Sequence, residues 1–151
     1  MKNILLLLIV LYAPAALCQH RKVKNDTLYK SVHLEKGDRT FLALKDTAQK
    51  HLPQFINAVK KFGHDKKYRL VVKSDFVENG EHEHMWSQIY DYEKGTLKGI
   101  FIDSPFELKN IKTGQRLSIK ATGVEDWAIY NSKGELLGGS FSTKYLESKQ
   151  Q

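Results

Sequence analysis

Tyr68-Arg69-Leu70-Val71-Val72-Lys73-Ser74-Asp75-Phe76-Val77, then Glu78-Asn79-Gly80-Glu81, then His82-Glu83-His84-Met85-Trp86-Ser87-Gln88-Ile89 is the stretch that decides the fold class. Its β-branched and aromatic residues recur at a period of two, the signature of a strand buried on one side. Asn79-Gly80 is the strongest short signal for a two-residue hairpin turn, because both positions need φ > 0. If Asn79-Gly80 is the loop, the register follows. Glu78 faces Glu81, Val77 faces His82, Phe76 faces Glu83, Asp75 faces His84, Ser74 faces Met85 and Lys73 faces Trp86. Directly opposed residues share a face. One face collects Leu70, Val72, Phe76, Met85 and Ile89, which is a core. The other collects Lys73, Asp75, His82, His84, Trp86 and Gln88, a polar and aromatic surface.

Upstream the period is 3.6. Ala48, Leu52, Phe55, Ile56, Val59 and Phe62 lie three and four apart, which predicts a helix between Asp46 and Phe62. Asp46 is the expected N-cap and Gly63 the stop, with Lys60 and Lys61 favouring the dipole in the last turn. Pro53 predicts a kink, or a helix that properly begins near His51. Downstream, Glu93-Lys94-Gly95 and Thr113-Gly114 are turns around strands Thr96 to Ile102 and Leu117 to Ala121. Asn131 to Gly134 joins two last strands, Trp127 to Tyr130 and Glu135 to Phe141. The fold class is therefore α+β: one N-terminal helix packed on a curved antiparallel sheet of five or six strands, or a small open barrel.

Further upstream, Met1-Lys2-Asn3, an apolar run from Ile4 to Tyr12, and Ala16-x-Cys18 form the pattern of a cleavable signal peptide. The run is shorter than the roughly 18 residues of a spanning helix. Three parts are expected: a signal peptide over 1–18, a partly mobile leader over 19–45 in which Leu28, Val32 and Leu34 suggest a short strand, and an α+β domain over 46–151. Lipidation at Cys18 is the competing reading, weakened by the bulky Leu17 before it. Cys18 is the single cysteine, so the domain is expected to hold together by packing without disulfides. The formal charge is +7, and cleavage after Cys18 removes Lys2 alone. A basic exported chain suits an unknown protein or a cell-envelope ligand as partner. Nucleic acid is not expected in that compartment, nor a transmembrane segment after cleavage, and a monomer is expected.

On the polar hairpin face Asp75 is placed to hold His84, and Lys73 to lie over the Trp86 ring. His84, with Asp75 or Glu83, is the acid–base candidate of the hairpin. His82, His84 and Asp75 offer three ligands, yet no further His or Cys stands at a ligand-like spacing, so no metal is expected. Neither a Gly-x-Ser-x-Gly elbow nor a glycine-rich phosphate loop is present, and no cofactor is expected. Trp127, after Glu125-Asp126, reads as a core anchor with an indole N–H that needs a partner. Gly138-Gly139 inside a strand implies a bulge or a close approach of a backbone or ligand.

Taken together, Tyr68 to Lys73, Glu83-His84-Met85-Trp86, Gly95, Gly99, Gly114, Val124-Glu125-Asp126-Trp127 and Gly138-Gly139-Ser140-Phe141 resemble the YegJ-like family, domain of unknown function 2314. The resemblance covers roughly Ala48 to Leu146. It implies that Lys73, Glu83, His84, Trp86, Asp126, Trp127, Gly138 and Gly139 stand at the family's motif positions, and with Asp75 these make up the candidate site. It supplies no catalytic assignment. Ala128 and Ile129 depart from the pattern, where a Met is common.

The reading that results is an exported, non-enzymatic binding or interaction module centred on the 73–86 hairpin. Its rivals are a small hydrolase or metal-assisted enzyme using His84 with Glu83 or Asp75, and a periplasmic immunity or inhibitor protein. Mass spectrometry of the exported pool is expected to find Gln19 at the N-terminus. An intact Met1 defeats this expectation, and a diacylglyceryl mass on Cys18 replaces it with the lipoprotein reading.

Overall fold

Asp38 sets the start of the first helix, its carboxylate accepting the Phe41 N–H at 3.0 Å. The computed structural model describes residues 37–105 and 108–149. The signal-peptide stretch, Cys18 and the Leu28 to Leu34 segment lie outside them. Helix α1 runs Arg39–Phe62, so it begins well before Asp46, the cap expected from the sequence. Two features extend it. Asp38 supplies the cap, and Tyr145 of the C-terminal segment donates its hydroxyl to the other Asp38 oxygen at 2.5 Å. Pro53 lies inside the helix with its ring exposed, and the helix continues through it. Ala48, Leu52, Phe55 and Val59 are the buried stripe that the spacing predicted.

Six strands follow: β1 Tyr68–Glu78, β2 Glu81–Glu93, β3 Thr96–Phe101, β4 Arg116–Lys120, β5 Val124–Asn131 and β6 Leu136–Gly139. They form one antiparallel sheet in the order β4-β3-β2-β1-β5-β6. The sheet stays open, with β4 and β6 at its edges, so the fold is α+β and not a closed barrel. The β1–β2 register runs from Glu78 opposite Glu81 to Lys73 opposite Trp86, as the two-residue loop requires. Asn79 at φ 53° and Gly80 at φ 89° have the positive angles of a type I′ turn. A short helix α2, Thr143–Ser148, ends the described chain.

The core lies between α1 and one face of the sheet. Leu70, Val72, Ile89, Leu97, Ile119, Val124 and Trp127 meet the α1 stripe there. Met85, Phe101 and Leu108 form a smaller cluster beside it, closed by Phe76, Ile111 and Leu117. Val124 and Trp127 are three apart, and in a regular strand they would point to opposite faces. They share the core because the strand carries a bulge. Lys73 pairs with Asp126 and Ser74 with Val124, leaving Glu125 as the extra residue.

Gly80 is the position that the turn can least change. A side chain there meets no neighbouring atom, so the whole penalty of a substitution is conformational. Gly80→Val is expected to lower the unfolding free energy by about 1–3 kcal/mol, read from urea denaturation. An unmoved midpoint would mean that the turn does not need the left-handed conformation.

Candidate functional site

The second face of the sheet carries Lys73, Asp75, His82, His84, Trp86 and Gln88. Helix α1 packs on the first face, and its early turns alone reach across: Phe41 stands edge-on to His84 with ring centroids 6.2 Å apart, and Lys45 reaches Glu125. The bulge decides what His84 meets. Its Nδ1 lies 2.5 Å from Oε2 of Glu125, whose Oε1 accepts from Lys45 Nζ at 3.1 Å. Asp75, the partner expected for His84, instead holds the diagonal His82 at 2.8 Å. The correction has a simple cause. Glu125 is the bulge's extra residue, and the register alone cannot place it, whereas Asp75 sits within reach of two histidines on the same face and takes the one nearer the turn.

Glu125 is buried, 4% exposed, between two basic groups. Burial alone would push its carboxyl up, but the hydrogen bonds and charges of His84 and Lys45 together outweigh burial and hold it below its ordinary value. Lys73 is a second perturbed group near it. Burial pulls its ammonium below the usual lysine range, and the charges of Glu125, Asp126 and Asp103 offset this in part. Yet among the described residues no carboxylate oxygen lies within 4.0 Å of it. Each neighbouring carboxylate is engaged elsewhere. Glu125 holds His84 and Lys45. Asp126, 1% exposed, accepts from the amides of Trp127, Phe141 and Ser142 and from the Ser142 hydroxyl. Asp103 accepts the Trp86 N–H at 2.7 Å, and burial raises its carboxyl above the usual range despite that bond and the charge of Lys73. What remains for Lys73 is the face of Trp86, 6.0 Å from the ring centroid.

Apart from Asp75, which holds His82, the predicted site residues separate into three groups. Lys73, His84 and Trp86 come together on the open face. Glu83 turns to the other face and accepts the Leu108 N–H at 2.9 Å, fastening the loop between β3 and β4, while Glu78 holds the amides of Lys109 and Asn110 at the tip. Asp126, Trp127, Gly138 and Gly139 are structural. Trp127 donates its indole N–H to the Ala48 carbonyl at 2.9 Å and packs on Phe55 and Phe141. A Cβ on Gly139, at φ 81°, would stand 2.0 Å from the Trp127 carbonyl oxygen, so the glycine pair serves the approach of β6 to that ring. Among the described residues no three His, Cys, Asp or Glu side chains are placed to hold one metal ion, and no helix is long and apolar enough to cross a membrane.

Lys45, Asp103 and Glu125 were missed. For Glu125 a signal existed: Val124-Glu125-Asp126-Trp127 puts two core residues three apart, which only a bulge reconciles with a strand. Lys45 and Asp103 carry no such mark.

Residues 33–150 match the model of a family described as an uncharacterized protein conserved in bacteria, DUF2314. Over 92 residues the chain is 28% identical to a protein of Escherichia coli (strain K12) called uncharacterized protein YegJ. That match takes in 61% of this chain and 58% of the relative. No solved structure matches.

The Glu125 network gives a pH dependence of definite sign. A carboxyl depressed on folding adds stability that is present above its unfolded value, near 4.5, and is lost as pH falls through the folded value. Glu125→Gln is expected to lower stability at pH 7 by about 1–2 kcal/mol, since Lys45 and His84 are partly exposed and can rehydrate. The gap between the two proteins should narrow as pH falls below 4.5 and through the lower folded value, as chemical denaturation across that range will read. A gap that stays constant would remove the ionised carboxylate from the account.

Proposed function

The chain belongs to the DUF2314 family, and on that footing we propose that it is an exported, non-enzymatic binding module whose contact surface centres on Lys73, His84 and Trp86 of the 73–86 hairpin. The exported setting rests on Lys2, the Ile4 to Tyr12 run and the Ala16-x-Cys18 ending. One observation supports the binding role most: Lys73 is a half-buried ammonium whose three carboxylate neighbours are all committed to other donors. A desolvated charge without a partner is costly, and an anionic group on a ligand relieves that cost. The half-buried Trp86 beside it is the residue type that most often anchors an interface.

The hydrolase alternative draws on the His84–Glu125 pair, a carboxylate that fixes one nitrogen of a partly exposed imidazole. It no longer draws on Glu83 or Asp75, which hold the Leu108 amide and His82. Capture from a cell-envelope fraction by the immobilised chain separates the two. For a binding module, Trp86→Ala is expected to reduce capture by tenfold or more and His84→Ala by less. If His84→Ala abolishes a turnover of the captured material while capture survives, the module is an enzyme and the proposal fails.

A further inference from the structure

The second sheet face has a composition that the hairpin alone does not explain. Across it, Tyr130 of β5 stands opposite Arg69 of β1, and Lys73 opposite Trp86 of β2. Between these pairs run Val71, Gln88 and Ile100, then Arg116 on the edge strand. The Arg69 guanidinium lies over the Tyr130 ring at 4.6 Å, and Lys73 over Trp86 at 6.0 Å. Two aromatic rings, each with a cation above it, therefore mark two points of one face. With strands roughly 4.8 Å apart and residues rising about 3.4 Å, the two rings are on the order of 16 Å apart.

Toward Arg69 and Arg116 the charge of this face is one-sided, whereas Lys73 has the carboxylates of Glu125, Asp126 and Asp103 around it and Asp75 lies beyond it toward the turn. Asp91 and Glu93, at its β2–β3 end, are both held by Lys98, at 3.5 and 2.8 Å. Asp126 is enclosed by its four donors. Arg69, Lys73 and Arg116 have no carboxylate within 4.0 Å among the described residues, and neither the Trp86 indole N–H nor the Gln88 amide has a hydrogen-bond partner among them. From Lys73 to Arg69 the unmatched groups are thus cations and neutral donors along an aromatic-edged surface. The one buried carboxylate oxygen on this face without a bond among the described residues, Oδ1 of Asp75, lies beyond Lys73 toward the hairpin turn. A sheet face offers no main-chain donors or acceptors, since these are spent within the sheet. A peptide partner cannot be recognised here by strand addition, which needs an edge. A ligand that presents flat, weakly polar ring faces, hydroxyls and regularly spaced carboxylates meets all of these groups together.

We infer that the open sheet face from Trp86 past Lys73 and Arg69 to Tyr130 is a track for an acidic glycan, a chain of pyranose rings bearing carboxylates. Sugar ring faces lie on Trp86 and Tyr130, carboxylates meet Lys73 and Arg69, and hydroxyls meet Gln88 and the indole N–H. The inference rests on the binding-module reading and gives it a ligand class.

Polygalacturonate is the probe, followed by the fluorescence of Trp86. Trp127 is 1% exposed and reports instead on the integrity of the core. Poly-L-glutamate at matched charge, an unbranched neutral galactan and a single-stranded oligothymidylate are run beside it. Polygalacturonate is expected to bind at least tenfold more tightly than polyglutamate, with no binding of the galactan. Lys73→Met is expected to weaken binding tenfold or more. Tyr130→Ala and Arg69→Ala, at the far end of the track, should each weaken it severalfold without changing the Trp127 emission, and they carry the test if Lys73→Met does not fold. Equal affinity for polyglutamate would reduce the surface to charge alone and overturn the glycan, while leaving a Trp86-dependent capture in place. Tighter binding of the oligothymidylate would overturn it in favour of nucleic acid. Polygalacturonate binding that ignores Tyr130 and Arg69, or no binding at all, would also overturn it.

Discussion

The single extra residue in β5 is the constraint from which most of this structure follows. Val124 and Trp127 must both enter the core against α1, and a regular strand cannot point residues three apart to one side. The bulge resolves the conflict, and its cost is that two carboxylates, Glu125 and Asp126, become buried in succession. A buried carboxylate needs partners. Glu125 finds them in Lys45 and His84, which ties the early part of α1 to the hairpin. Asp126 finds them in the amides of Phe141 and Ser142, which ties the start of the C-terminal segment to the sheet. The two ends of the described chain are then joined directly, through Tyr145 and Asp38.

The same arithmetic of partners leaves Lys73 alone. It stands opposite Asp126 in the sheet and near Glu125 and Asp103, so three negative charges surround it, yet each has closer donors. Most charged groups that stabilise the fold are satisfied among themselves. The hydroxyls of Ser74 and Ser87 stay unbonded on the core face, whereas the cation left without an ion pair, Lys73, lies on the face away from α1. This division between committed and uncommitted groups is a more useful guide to the site than residue type. By type, Glu83, Asp126 and Trp127 look as functional as Lys73 and Trp86. By their bonds, the first three belong to the scaffold, and Gly138 and Gly139 join them because β6 must pass close to Trp127.

Much of this was legible beforehand wherever an interaction is local. The hairpin register came from Asn79-Gly80, because a two-residue turn leaves one alignment of the flanking strands. The split of Leu70, Val72 and Met85 from Lys73, His84 and Trp86 then followed from the period of the pleat. The helix stripe from Ala48 to Val59 followed from its spacing of three and four, and the α+β class from one helical period followed by several strand periods. Trp127 as core and Gly138-Gly139 as a close approach were also legible, since an indole and a glycine pair each have few structural uses.

What tertiary structure decided is every contact between residues far apart in the chain. Asp38 caps the helix locally through the Phe41 N–H, but its other oxygen is held by Tyr145, more than a hundred positions later, and no local pattern announces that bond. His84 meets Glu125 and not Asp75 because a bulge two strands away delivers the carboxylate, and periodicity places side chains on faces without saying how far a neighbouring strand has slipped. The isolation of Lys73 is of the same kind. Whether a charge has a partner depends on how many donors its neighbours have already gathered, and those donors come from α1, from the loop after β3 and from the segment after β6. Sequence by itself determined the elements and their faces, because backbone geometry repeats every two or 3.6 residues. The fold alone determined which charges neutralise one another, because hydrogen bonding is a competition among all groups brought within reach.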